Sequence, residues 1–240
     1  MSGIAPSAGN PVPPDDNDDS YANASIDHIH AEHPHLTPLD LQILSLPSDD
    51  HYTPHTWSNL QQLLGSNSLH LLARSPSQLR AYLAWTRRIR ADYGSLTDYI
   101  LAERLHWTPL PDDAEGAPPR FQVQNPTPFA DPADYAVLRN DWPYGLEAGI
   151  THLCVWLKTP TPIRPEDGDL TDEARALVEE FVTREFRRAV GEVDEEGRGE
   201  KGEKVLWFKN WVALQSVRGV DHVHVLVRGA EEEVLRMWLN

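Results

Sequence analysis

One cysteine in 240 residues, Cys154, excludes an intrachain disulfide and fits a reducing compartment. No stretch approaches the roughly 18 apolar residues of a membrane span. The N-terminus also lacks the basic patch followed by an apolar run that marks a secretory signal. Basic residues are missing from the front: the first Lys or Arg is Arg74, and nine carboxylates precede it. These absences predict a soluble, cytoplasmic protein without membrane partners. The net charge of −16 also argues against a nucleic-acid polymer, whose phosphates such a surface repels.

The aromatic residues are unevenly placed too. All eight tryptophans fall from Trp57 onward, whereas residues 1–54 hold eight of the twenty prolines and the run Pro13-Pro14-Asp15-Asp16-Asn17-Asp18-Asp19. Too little apolar surface is available there to offset the entropy of ordering the chain. Residues 1–54 are therefore expected to form a disordered acidic tail containing Pro and His. Its Asp27, His28, His30, His33 and His35 read as scattered polar groups without the oriented surroundings of a metal site.

Apolar periodicity and capping residues predict helices at Trp57–Leu64 after Thr56, Pro76–Tyr93 after Ser75, and Leu96–His106 after Ser95. These make residues 55–106 a helical part of the domain, with Arg80, Arg87, Arg88 and Arg90 on a solvated face. Residues 107–134 form a Pro-rich connection. Residues 135–240 form an α+β core, with strands at Tyr135–Leu138, Ile150–Lys158, Lys204–Lys209, Val212–Val217 and His222–Arg228. A long helix at Asp172–Val190 lies across one sheet face, Gly191–Gly202 is an exposed acidic loop, and Glu231–Leu239 closes the chain as a helix.

His222-Val223-His224-Val225 alternates strictly, so both imidazoles face one side of a strand. Neutral imidazoles so placed can supply a nucleophile and a proton donor for phosphorus chemistry. Gln215-Ser216-Val217 followed by His222-Val223-His224-Val225-Leu226 resembles the Q-S-V-x-H-x-H-x-H-x-L block of the histidine-triad (HIT) nucleotide hydrolases and transferases. Thr151-His152 through Lys158 resembles their T-H-x-x-V-x-x-K strand. Two registers fit, each keeping two of the three histidines. In one His224 is the nucleophile and Leu226 replaces the third histidine; in the other His222 is the nucleophile and Val220 replaces the first. The Gly that precedes Gln-Ser-Val in that family is Leu214 here.

A second resemblance spans about residues 57–228. Arg74-Ser75-Pro76, Tyr93-Gly94, Asn140-Asp141-Trp142-Pro143-Tyr144-Gly145, Gly149-Ile150-Thr151-His152, Trp207-Phe208-Lys209-Asn210 and Leu214-Gln215-Ser216-Val217 together are similar to the fungal N-acetylglucosamine-induced protein family. That resemblance implies a cytoplasmic protein linked to amino-sugar response.

The HIT resemblance implies an antiparallel HIT-like sheet and an enzyme acting on a nucleotide or nucleotide-sugar, with no cofactor. One of His222 and His224 attacks phosphorus, and Asn210, Gln215 and Ser216 bond the phosphate oxygens. His152 orients a neighbour, and Lys209, Arg218 and Arg228 are the nearest cations. Asp141, Trp142 and Tyr144 form a turn suited to stacking a base or sugar. The alternative is a binding or regulatory module on the same scaffold. A zinc site from His152, His222 and His224 ranks behind both, because Asp221 is offset by one residue from the face the histidines share.

Overall fold

The computed structural model describes residues 19–111 and 117–239. The expected disorder of residues 1–18, and the part of the Pro-rich connection at 112–116, lie outside the described residues.

Disorder does not hold for the rest of the front segment. Helices α1 (Ile26–Glu32) and α2 (Pro38–Leu44) are capped by Ser25 and Thr37, the latter in a reciprocal capping box with Asp40. Tyr21, Ile29, Ile43 and Leu44 are buried against Leu79, Leu83 and Ala84 of a later helix. Scattered aliphatics are too few to make a core alone, but they suffice once another element offers its apolar face. Arginine also contributes. Arg80 donates to the carbonyls of Tyr21, Ala24 and Leu44, so part of the predicted solvated basic face instead holds the front segment in place.

The helical part follows the capping signals. Helix α3 (Trp57–Gly65) is capped by Thr56, and α4 (Pro76–Tyr93) starts from a capping box between Ser75 and Gln78 and ends at Gly94. Ser95 caps α5 (Leu96–Tyr99), which runs on as a wider helical turn through Ile100–Leu105. Helix α6 (Asp172–Val182), capped by Thr171, continues in the same way through Thr183–Arg187, and α7 (Glu232–Trp238) closes the described chain.

Strands β1 (Tyr135–Arg139), β2 (Ile150–Leu157), β3 (Val205–Phe208) and β4 (Asp221–Arg228) form an antiparallel sheet in the order β1-β2-β4-β3. The α+β reading holds. The predicted strand at Val212–Val217 does not: Val212–Leu214 is a single helical turn. Both edges of β4 are already paired, by β2 and β3, and Trp211 and Leu214 pack with the α3 cluster instead.

Strand alternation separates the two sheet faces. Leu153, Val155, Val223, Val225 and Val227 meet α6 through Ala174, Val178 and Phe181, and its continuation through Phe186. The opposite face carries His152, Cys154, Trp156, His222 and His224, and the helices of the front half cover it. The helical part and the strand part thus share one interior.

The candidate site lies between the sheet and the front helices

A cavity of about 120 Å³ lies on the histidine face. The sheet supplies Cys154, Trp156, His222 and His224; α4 supplies Tyr82 and Trp85; and the Asn140–Tyr144 turn closes one side. Arg74, Arg104, Asn210 and Ser216 complete the polar wall. A wider groove of about 530 Å³ adjoins it, sharing Arg74, Tyr82, Tyr144 and Ser216 and adding His35, His70, Arg90, Gln215 and Arg218. The Tyr82 hydroxyl donates to Ser216 Oγ at 2.8 Å, a polar bar between two residues common to both spaces.

His222 and His224 sit one strand step apart and are each 6% exposed. Their rings are 5.1 Å apart and nearly perpendicular. His222 Nδ1 donates to the Val220 carbonyl at 3.0 Å, because a carbonyl only accepts, and this leaves Nε2 as the lone-pair nitrogen. Trp156 lies against the same ring at 4.4 Å. Burial lowers the pKa of His222, opposed by the Val220 bond and the Asp221 charge, so the neutral ring is favoured.

His224 is held at both nitrogens. Asn210 Nδ2 donates to Nε2 at 3.2 Å, and Nδ1 faces His152 Nε2 at 3.0 Å. Phe208 stacks on the His224 ring at 4.7 Å, and Tyr144 stacks on His152 at 5.6 Å. Burial, followed by the charges of neighbouring histidines and Arg74, holds the His224 pKa well below its ordinary value. The same burial and Arg74 bring His152 down to about 3. Cys154 Sγ lies 3.5 Å from His224 Nδ1, and burial pushes its thiol pKa up.

Asp141, Trp142 and Tyr144 line the cavity, as does Arg104, whose guanidinium pairs with Asp141 at 2.9 Å. Burial raises the Asp141 pKa against the pull of Arg104. Arg74 donates to the Trp142 carbonyl and lies over the Tyr82 ring at 4.2 Å. Three buried polar atoms on cavity residues have no protein partner: Arg104 Nε, Trp142 Nε1 and Asn210 Oδ1.

The structure brings together His222, His224, Asn210, Ser216, Asp141, Trp142 and Tyr144, with His152 behind them. Gln215 and Arg218 reach the outer groove, and Gln215 also donates to the Asn210 carbonyl. Two expected cations lie elsewhere. Lys209 is buried against Asp221 at 2.5 Å and Thr161 at 2.6 Å, and Arg228 lies over Trp57 and donates to the Glu203 carbonyl. Strand parity turns Lys209 away, since it follows Phe208, the partner of His224; Arg228 shares the parity of the histidines but ends β4 at the far end from the cavity.

Sequence reasoning left Arg74, Tyr82, Trp85 and Arg104 out of the site. Only Arg74 carried a signal, as part of Arg74-Ser75-Pro76; the others are helix positions whose inward face depends on docking against the sheet.

Fold and site define an α+β protein with one antiparallel sheet covered on both faces and a polar, histidine-lined cavity on the face away from α6. The chain belongs to the family described as protein of unknown function (DUF3605), which matches residues 56–228. It is 30% identical over 193 residues to N-acetylglucosamine-induced protein 1 of Candida albicans, covering 75% of this chain and 70% of that protein. It is 28% identical over 171 residues to the Saccharomyces cerevisiae protein YPL067C, covering 71% of this chain and 77% of that protein. Among solved structures it is similar to the crystal structure of HTC1, with a TM-score of 0.56 and 25% identity, covering 76% of this chain and 91% of that one. No described helix is long and apolar enough to cross a membrane.

Proposed function

We propose that the chain is a cytoplasmic phosphate hydrolase or transferase on a HIT-like sheet, using His222 as nucleophile on a nucleotide or nucleotide-sugar. The supporting observation is the His222 tautomer: Nδ1 is committed to the Val220 carbonyl, so Nε2 keeps its lone pair on a ring that lines the cavity. This favours the register in which Val220 occupies the first triad position.

The Nε2 lone pair forms an N–P bond while the P–O bond to the leaving group breaks. That oxygen keeps the electron pair and takes a proton from solvent in the groove. Water then attacks phosphorus, the P–N electrons return to Nε2, and the water proton leaves to solvent. Arg74 and Ser216 are the groups placed to donate to phosphate oxygens as charge develops, whereas the amide hydrogens of Asn210 are taken by His224 and Tyr144. His224 is a positioning residue in this scheme, since both of its nitrogens are occupied. The name of the Candida relative directs the search within this class toward amino-sugar nucleotides. Nucleic-acid polymers and membranes are not partners in this reading.

The test is incubation of the full chain with dinucleotides, nucleoside phosphoramidates and nucleotide-sugars, with acid-stable and base-stable phosphoryl adducts followed separately. Wild type should form product through a base-stable phosphohistidine, and His222→Ala should form neither. Absence of both in wild type refutes the proposal. One observation favours the alternative of a binding module: His224, the imidazole beside His222, has both nitrogens occupied and is not free to protonate a leaving group. In that case ligand raises the melting temperature without turnover.

A further inference from the structure

His152 and Cys154 are two residues apart on β2, and His224 is the β4 residue directly paired with Cys154. All three side chains therefore share the same sheet face, the one turned from α6. His152 Nε2 lies 3.0 Å from His224 Nδ1, Cys154 Sγ lies 3.5 Å from the same nitrogen, and all three donor atoms fall within 4.8 Å of one another. Zinc bonded tetrahedrally to nitrogen at about 2.05 Å and thiolate sulfur at about 2.3 Å requires edges of about 3.3 Å between nitrogens and about 3.6 Å between nitrogen and sulfur. Two of the three edges are already near those lengths.

We propose that His152, Cys154 and His224 bind one zinc ion, through Nε2, Sγ and Nδ1, with the fourth position open toward the cavity that Cys154 and His224 line. The proposal does not depend on the phosphate-transfer reading. His222 stays outside the donor set, because the atoms that lie within 4.8 Å of one another belong to His152, Cys154 and His224.

The proton balance closes within these residues. His152 Nε2 already offers a lone pair to the Nδ1–H of His224. On metal binding that His224 proton moves to Nε2, and the thiol of Cys154 releases its own, so each zinc frees one proton. The Asn210 amide suits either state. Nδ2 now donates to His224 Nε2 and leaves Oδ1 without a partner; turned over, Oδ1 accepts from the new Nε2–H. Stacked Phe208 and Tyr144 hold the two rings in orientation, as the surroundings of metal-bound imidazoles do. The thiolate offsets one charge of the ion, and the soft sulfur with two imidazoles selects zinc over calcium or magnesium.

The experiment uses the full chain, expressed with zinc and purified anaerobically. Elemental analysis should find close to one zinc per chain. Cobalt replacement should give a near-ultraviolet thiolate-to-cobalt charge-transfer band, a readout of Cys154 ligation that needs no variant. Cys154→Ser should weaken zinc binding by at least about tenfold and abolish the band, while His222→Ala should keep both. Wild type without zinc and without the cobalt band overturns the proposal, as does undiminished zinc in Cys154→Ser. Zinc without phosphate turnover upholds this site and refutes the preceding function; turnover without zinc does the reverse.

Discussion

Glu192 sits in the segment that reads as an exposed acidic loop, yet its carboxylate has no exposed surface. Oε1 accepts from Arg187 Nη1 at 2.5 Å and from the Gly202 amide at 2.8 Å; Oε2 accepts from the amides of Lys204 and Val205, both at 2.6 Å. Glu192→Gln keeps the shape but replaces one oxygen with an NH2 group. Whichever oxygen is lost, two buried donors then face a donor. Each orphaned donor costs about 1–3 kcal/mol, giving about 4 kcal/mol, which agrees with the roughly 3–5 kcal/mol seen when one partner of a buried ion pair is removed. A domain of typical stability, about 5–15 kcal/mol, would lose about a quarter or more of it. Urea unfolding followed by tryptophan fluorescence should show a lower midpoint at unchanged slope. The exposed neighbour Glu195, changed to Gln, should stay within about 0.5 kcal/mol of wild type. A Glu192→Gln loss below about 1 kcal/mol refutes the reasoning. The same carboxylate holds the start of β3, the strand that leads to Asn210, so the variant should also weaken ligand binding at the cavity.

Gly145→Ala should cost about 1–3 kcal/mol in the same assay, because its Cβ would come within 2.4 Å of the edge of the Tyr52 ring, whose hydroxyl is tied to the Ala73 and Gly145 carbonyls. Wild-type stability in this variant would show that Tyr52 moves freely. His33 is buried, and that burial lowers its pKa. Its contribution is therefore full above about pH 6.5, where the unfolded imidazole is neutral, and falls as acid protonates the unfolded chain first. His33→Phe should flatten the loss of stability between pH 7.5 and 5; parallel curves refute this.

Local signals in the chain were sufficient for helices α3 to α7 and for strands β1 to β4. Thr56, Ser75, Ser95 and Thr171 cap the helices where side-chain chemistry places them, and the alternation of residues 222–227 puts both imidazoles on one face. Such signals act over a few residues, so they survive without knowledge of what packs where. They also reached the Asn140–Gly145 turn, whereas Asn210 came from the HIT resemblance; both contribute to the cavity wall.

What depends on distant partners was not legible. Ile29 and Leu44 are ordered only because α4 offers them an apolar face, and Val212–Leu214 leaves the sheet only because both edges of β4 are taken. Glu192, expected in an exposed loop, and Lys209, expected as a cation near the phosphate, are both buried by the fold with partners of opposite charge. The net charge and the single cysteine are properties of the sequence by itself, as is the strand parity that aligns His152 with Cys154. Only the tertiary structure pairs Cys154 with His224 across two strands seventy residues apart, because register is set by the packing of whole faces.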